Sequence, residues 1–160
     1  VGAPSGQHII LCGRVLDRHG NLANGVLMEF WQANAKGIYN SPANSGHPDL
    51  DPWFNGYGRL RSASGEYKFC TIMPGASDNR APNITITLFS DGISRIVTQV
   101  FFEGHRGNET DPVLKSLDTD DQARLIARHG GQTDDGAEIY LLDIVMAGAN
   151  ETPFFDDFES

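Results

Sequence analysis

No stretch of this chain approaches the ~18 consecutive apolar residues that a membrane-spanning helix needs. The start, Val1-Gly2-Ala3-Pro4, has neither the basic nor the apolar segment of a secretory signal. A soluble, unsecreted protein is therefore expected. Cysteine is scarce: Cys12 and Cys70 are the only two, and neither belongs to a CxxC pair. That excludes a disulfide scaffold and the common thiolate zinc and redox motifs, and predicts two buried thiols in a reducing compartment. Basic residues are few as well. Twelve Lys and Arg against 21 Asp and Glu leave a net charge of −9, so the average field repels a polyanion and nucleic acid is a poor partner. There is no GxSxG elbow, no P-loop and no HExxH, and Gly56-Tyr57-Gly58 does not continue into a dinucleotide fingerprint, so simple hydrolase and nucleotide-binding readings fail.

What is present is β chemistry. The 160 residues suit a single domain over residues 1–160, with 18 glycines and 8 prolines punctuating short apolar runs. Strands are predicted over 9–16, 26–31, 66–71, 83–89, 96–102 and 137–146 from alternation and β-branched or aromatic content. Both faces of 26–31 are largely apolar, which predicts a covering element on its second side. Helical signals are confined to one region. Asp111-Pro112 supplies a cap and a first-turn proline for 113–117, and the spacing of Ala123, Ile126 and Ala127 predicts a second helix over 120–129, closed by Gly130-Gly131. The predicted fold is mainly β, an antiparallel sandwich with a small helical insert near residues 111–129. Residues 37–58 form a patternless loop of about twenty residues, a length at which loops are often functional.

Candidate chemistry is thin on residue type alone. His8, His19, His47, His105 and His129 have no two- or four-residue pairing and read as surface or turn residues. The acidic clusters 118–121, 134–135 and 156–157 read as caps or solvated loops. Asn-x-Thr sequons at Asn83, Asn108 and Asn150 have no route to glycosylation without a signal peptide. Residues 30–39, Phe-Trp-Gln-Ala-Asn-Ala-Lys-Gly-Ile-Tyr, read plainly as a strand followed by a turn.

A series of segments carries more. Gly13-Arg14-Val15-Leu16-Asp17, Glu29 to Tyr39, Gly56-Tyr57-Gly58-Arg59, Thr71-Ile72-Met73-Pro74-Gly75, Ala81-Pro82-Asn83-Ile84-Thr85, Thr98 to Phe102 and Phe154-Phe155-Asp156 run in one order from end to end. In that order they resemble the intradiol ring-cleaving dioxygenases, and within them the alpha-type chains of the branch that acts on protocatechuate. The resemblance implies a catalytic chain that holds non-haem ferric iron through two tyrosines and two histidines and opens a catechol between its hydroxyls. Hard anionic phenolates suit ferric iron and imidazoles complete its site.

Mapped onto that pattern, Tyr39 keeps the place of the first tyrosine. Ser77 or a neighbour stands at the second, and Asn83 and Thr85 stand at the His-x-His positions, where neutral weak donors cannot replace imidazole. The resemblance therefore implies no metal or catalytic residue in this chain. It implies a hetero-oligomer in which an iron-bearing beta partner supplies ferric iron, in the cytoplasm of a bacterium that degrades aromatic compounds. Alpha-type chains also tend to carry an arginine where Asp91 stands here, with Arg95 four residues on, so these two are possible pocket residues. The tail holds Phe154, Phe155 and Phe158 among acids, and Phe154 and Phe155 are expected at a subunit interface. The alternatives are a transthyretin- or immunoglobulin-like binding module without a catalytic partner, and an iron enzyme with substituted ligands.

Overall fold

A computed structural model describes residues 2–90 and 93–156, with only the backbone at 93 and 94. Alternation dictates most strands. In β1 (His8–Leu16) Ile9, Leu11 and Val15 turn inward and are buried. β2 (Leu27–Gln32) buries Met28, Phe30 and Gln32 and leaves Leu27, Glu29 and Trp31 half-covered, as its two apolar faces predict. β3 (Tyr57–Arg61), not foreseen, closes the long loop as a polar edge strand. β4 (Glu66–Ile72) buries Tyr67 and turns Glu66, Lys68 and Cys70 to solvent. β5 (Asn83–Ser90) buries Ile84, Ile86 and Leu88, and β6 (Ile93–Phe102) begins three residues before its apolar pattern.

The helical insert is shorter than predicted. α1 (Pro112–Lys115) starts as expected, with the Asp111 carboxylate accepting from the Val113 and Leu114 amides. α2 (Thr119–Ala123) ends early, and the chain enters β7 (Ile126–Gln132) instead of continuing a helix to 129. The reason is pairing: Ile126 and Ala127 lie parallel to Phe101 and Phe102, and a few apolar residues at three-residue spacing fit a turn followed by a strand equally well. Gly130-Gly131 falls in an irregularity between His129 and Gln132 rather than at a helix end. The predicted strand 137–146 is two, β8 (Glu138–Leu141) and β9 (Ile144–Val145). Between them the Asp143 carboxylate accepts from the Arg14 amide at 2.9 Å and its guanidinium at 2.6 Å, which takes that stretch out of the ladder.

The strands follow one path, β3-β2-β5-β6-β7-β8-β1-β4, with β9 beside β1. Its two edge strands are neighbours in sequence, so the sheet comes round into a nearly closed barrel. The sandwich expectation holds only as far as mainly β, because β1–β8, β1–β9 and β6–β7 are parallel pairs. The crossover from β6 to β7 through both helices has the length a parallel return requires, which a hairpin does not. The core inside the sheet gathers Ile9, Leu11, Phe30, Ile84, Ile86, Val100 and Phe102. A second cluster of Ala81, Phe101, Leu114 and Leu125 lies under the helices, so consecutive Phe101 and Phe102 are both fully buried on opposite faces of β6. Buried Tyr67 donates to the Leu142 carbonyl at 2.6 Å, and desolvation pushes its phenol far above the ordinary range.

One expectation is corrected here. Cys12 is half-buried but Cys70 is exposed, because on β4 it shares the outward face with Glu66 and Lys68. The C-terminal tail, as far as residue 156, is seated on its own chain, with Phe154 and Phe155 left partly exposed. The Phe155 amide donates to the Val97 carbonyl at 2.8 Å and the Thr98 hydroxyl to the Pro153 carbonyl at 2.8 Å, while Phe154 packs on the main core and Phe155 on the second. Removing residues 153–160 should therefore destabilise this chain by itself, by about 1–3 kcal/mol for two partly covered rings, read as a lower urea midpoint. A pH effect follows from Asp143. Desolvation raises its pKa, but the hydrogen bonds and charge of Arg14 outweigh that and hold it below the ordinary value. Its contribution is thus present above the unfolded pKa of roughly 4 and lost as pH falls through the depressed folded value. Asp143→Asn should lower stability at pH 7 by less than about 1 kcal/mol, since the pair is solvent-screened, and the difference from the parent should vanish in acid.

Candidate functional site

The end of β2 runs into a turn organised by Asn34. Its Oδ1 accepts from the Lys36 and Ile38 amides at 2.9 and 3.1 Å, and its Nδ2 donates to the Asp49 carbonyl at 2.8 Å. The turn lies directly on the loop that follows β4. A Cβ on Gly37 would stand 2.3 Å from the Ala76 carbonyl oxygen, and one on Gly75 would stand 2.4 Å from that of Ala35. Only residues without a side chain allow the two backbones this close, and the contact brings Tyr39 and Ser77 to one place. Tyr39 leans on Trp31, ring centroids 5.6 Å apart, and Trp31 is the cross-strand partner of Thr85.

These elements enclose a cavity of about 520 Å³ lined by Trp31, Tyr39, Ser77, Arg80, Thr85 and Gln99, among others. Its charged lining residues are Lys36, Asp78 and Arg80, and Arg80 is tied into the surrounding structure. Its Nε donates to Oδ2 of fully buried Asp111 at 2.9 Å, its Nη2 donates to Oε1 of Gln99 at 2.6 Å, and its guanidinium lies 6.0 Å from the Phe101 ring centre. Gln99, directly opposite Thr85 in the β5–β6 ladder, passes the chain on by donating to Thr85 Oγ1 at 3.1 Å. Burial pushes the Tyr39 phenol up, and the Arg80 charge draws it partly back.

The structure thus gathers three of the four positions singled out in the sequence: Tyr39, Ser77 and Thr85. Asn83 shares the strand face of Thr85 but is covered. It donates to the Ala81 carbonyl at 2.8 Å, and its Oδ1 is buried without a partner. Arg95 is exposed on β6 and is not among the residues lining this cavity, and Asp91 lies outside the described residues. Phe154 and Phe155 sit on their own core clusters. Arg80 escaped notice because a single arginine in a turn before Ala81-Pro82 has no pattern of its own. Gln99 was discernible in principle, as the residue facing Thr85 once the β5–β6 hairpin is in register.

Ferric iron does not fit this donor set. One protonated phenol, two alcohols, an amide already turned to Ala81 and the single carboxylate of Asp78 offer little anionic charge and no imidazole, and Arg80 and Lys36 put two cations in the lining. Among the described residues no group of three or more His, Cys, Asp or Glu is placed to hold a metal.

A family model described as Dioxygenase matches residues 1–148. The beta chain of protocatechuate 3,4-dioxygenase from Burkholderia cepacia is 38% identical over 163 residues, covering 95% of this chain and 69% of that one. The alpha chain from Pseudomonas putida is 33% identical over 160 residues, covering 94% and 77%. Among solved structures, an intradiol ring-cleavage dioxygenase from Tetranychus urticae superposes with a TM-score of 0.74 at 18% identity, covering 94% of this chain and 87% of that one. The 3-chlorocatechol 1,2-dioxygenase from Rhodococcus opacus 1CP gives 0.69 at 20% identity, covering 89% and 60%. At those identities the two structures speak for the fold.

Asp111 should be the most sensitive position near the cavity. Asp111→Ala strips the α1 cap and leaves Arg80 without its buried partner, so we predict a loss of about 3–5 kcal/mol in urea unfolding. Lys36→Ala, on the exposed rim and 3.4 Å from Asp49, should cost less than about 1 kcal/mol.

Proposed function

The chain belongs to the intradiol dioxygenase family, and from that membership we propose that it is the alpha, non-iron-binding subunit of a protocatechuate 3,4-dioxygenase. In this reading an iron-bearing beta chain supplies the family's non-haem ferric ion. The pair opens the protocatechuate ring between its hydroxyls with dioxygen, giving 3-carboxy-cis,cis-muconate, and this chain alone is inactive. The observation that supports the reading is the cavity at Tyr39, where Tyr39, Ser77 and Thr85 come together with no imidazole and no second phenol among the lining residues. Ser77 and Thr85 are neutral, and the space holds the guanidinium of Arg80, tied to Asp111 and Gln99.

The work of this chain's residues is then architectural. The Asn34 turn and the Gly37 and Gly75 contacts hold the loop surfaces around the cavity in one shape without a metal to organise them. The 38% identity with a beta chain favours a second reading, a catalytic chain in its own right. The donor chemistry speaks against it, since one protonated phenol and one carboxylate, Asp78, beside the charges of Arg80 and Lys36 and with no imidazole are a poor set for a trivalent cation. No helix among the described residues is long and apolar enough to cross a membrane.

The purified chain is expected to contain no stoichiometric iron and to consume no dioxygen with protocatechuate. Co-expressed with a beta chain that has both tyrosines and the His-x-His strand, it should co-purify in a complex that contains iron and consumes one dioxygen per substrate. A visible tyrosinate-to-iron absorption band from this chain alone would establish the second reading instead.

A further inference from the structure

The outer face of the β1–β4 pair carries a feature unrelated to the Tyr39 cavity. Cross-strand partners point to the same side, and the register sets Ile10 opposite Cys70 and Cys12 opposite Lys68. Cys12 and Cys70 are therefore diagonal neighbours on one outward face, one half-buried and one exposed, and both are free thiols. Lys68 adjoins both, directly opposite Cys12 and two residues before Cys70 on the same strand face. The two sulfurs feel each other. Burial chiefly raises the Cys12 thiol, Lys68 lowers it, and Cys70 and Glu66 raise it further.

The separation discriminates between the chemistries open to such a pair. Diagonal residues on antiparallel strands lie roughly 7–8 Å apart at Cα, somewhat less at Cβ. A disulfide wants Cα atoms closer than about 7 Å and Cβ atoms near 3.8 Å, so direct S–S bonding here requires backbone movement. An intervening metal ion adds two bonds of roughly 2.3 Å and closes that gap without distortion. The number of donors narrows the ion. Among the described residues no third or fourth His, Cys, Asp or Glu joins the pair, which excludes a closed tetrahedral zinc site. Two soft thiolates and no hard ligand select a thiophilic ion content with two bonds.

We propose that Cys12 and Cys70 form a two-coordinate site for a soft cation of the cuprous type, bridging β1 and β4 on the outside of the barrel. Binding replaces two S–H protons by one monovalent ion, so two protons are released and the bis-thiolate centre carries one negative charge. The Lys68 ammonium lies where it balances that charge. Because β4 is an edge strand of the sheet, the bridge also ties that edge to its neighbour.

The test is an anaerobic titration of the reduced full chain with Cu(I) against a chromogenic cuprous chelator, with mass spectrometry and thiol counting. One ion per chain is expected, with both thiols protected from a thiol reagent and a raised melting temperature. Cys12→Ser and Cys70→Ser should each weaken binding at least 100-fold, with Cys12→Ala as a second variant should a hydroxyl at that half-buried position perturb folding. A single-cysteine variant that binds as tightly as the parent, or one ion bound per thiol, overturns the bridged site. Ready formation of an intrachain disulfide with a thiol oxidant also overturns it, because it would place the sulfurs within bonding distance.

Discussion

The carboxylate of Asp111 joins two segments distant in sequence, 80–81 and 111–114. It is fully buried and accepts from the Ala81 amide at 2.8 Å, the Arg80 guanidinium at 2.9 Å and the Val113 and Leu114 amides at 2.9 and 3.4 Å. A buried charge without partners costs several kcal/mol, so the four contacts are a condition of folding rather than an embellishment. They bind the turn before β5 to the start of the helical crossover. Through Arg80 the order passes to Gln99, and through Gln99 to Thr85, so the polar wall of the cavity is one continuous chain of hydrogen bonds rooted in the crossover. Partial satisfaction of such a network would be worse than none.

In the alpha reading proposed above, a metal site has lost its chemistry and retained its shape. Period-two geometry sets positions 83 and 85 on one face of β5 whether imidazole, amide or hydroxyl stands there. The loop carrying Ser77 packs on the loop carrying Tyr39 through backbone contacts at Gly37 and Gly75, which make no reference to the side chains at 39 or 77. The scaffold is indifferent to the ligands, and the ligands are free to change. Within the cavity wall Arg80 is a cation already paired with Asp111.

Legibility in the sequence followed from how local each signal was. β1, β2, β4 and β5 were readable because one buried face alternates with another of different character, and the Asp111-Pro112 cap was readable because capping involves only its own next three residues. β7 was misread as helix, since Ile126 and Ala127 owe their conformation to a parallel pairing with β6 that no local pattern announces. The break at Leu142-Asp143 was invisible for the same reason, because its cause is Arg14, far away in sequence. Cys70 was misjudged by residue type when its own alternation with Glu66 and Lys68 already gave the outward side. At the site, Tyr39, Ser77 and Thr85 came from resemblance and were found together, whereas Arg80 became visible only with its partners in place.

The long loop after β2 shows why absence of pattern is not absence of order. Apolar burial leaves a periodic trace, but this loop is held by amides and carbonyls, which every residue carries. Asn34 is its hub: besides the three side-chain bonds, its backbone amide donates to the Ile38 carbonyl at 2.9 Å and its carbonyl accepts from Gly75 at 2.8 Å. Farther along, Asn44 donates to the Tyr39 carbonyl at 2.9 Å. Tyr39 is thus fixed from both sides by polar contacts that involve neither its hydroxyl nor any ion. A tyrosine held this way does not depend on neighbouring metal ligands for its place. Its ring then serves as a wall against Trp31, and its burial-raised phenol remains a neutral donor beside Arg80.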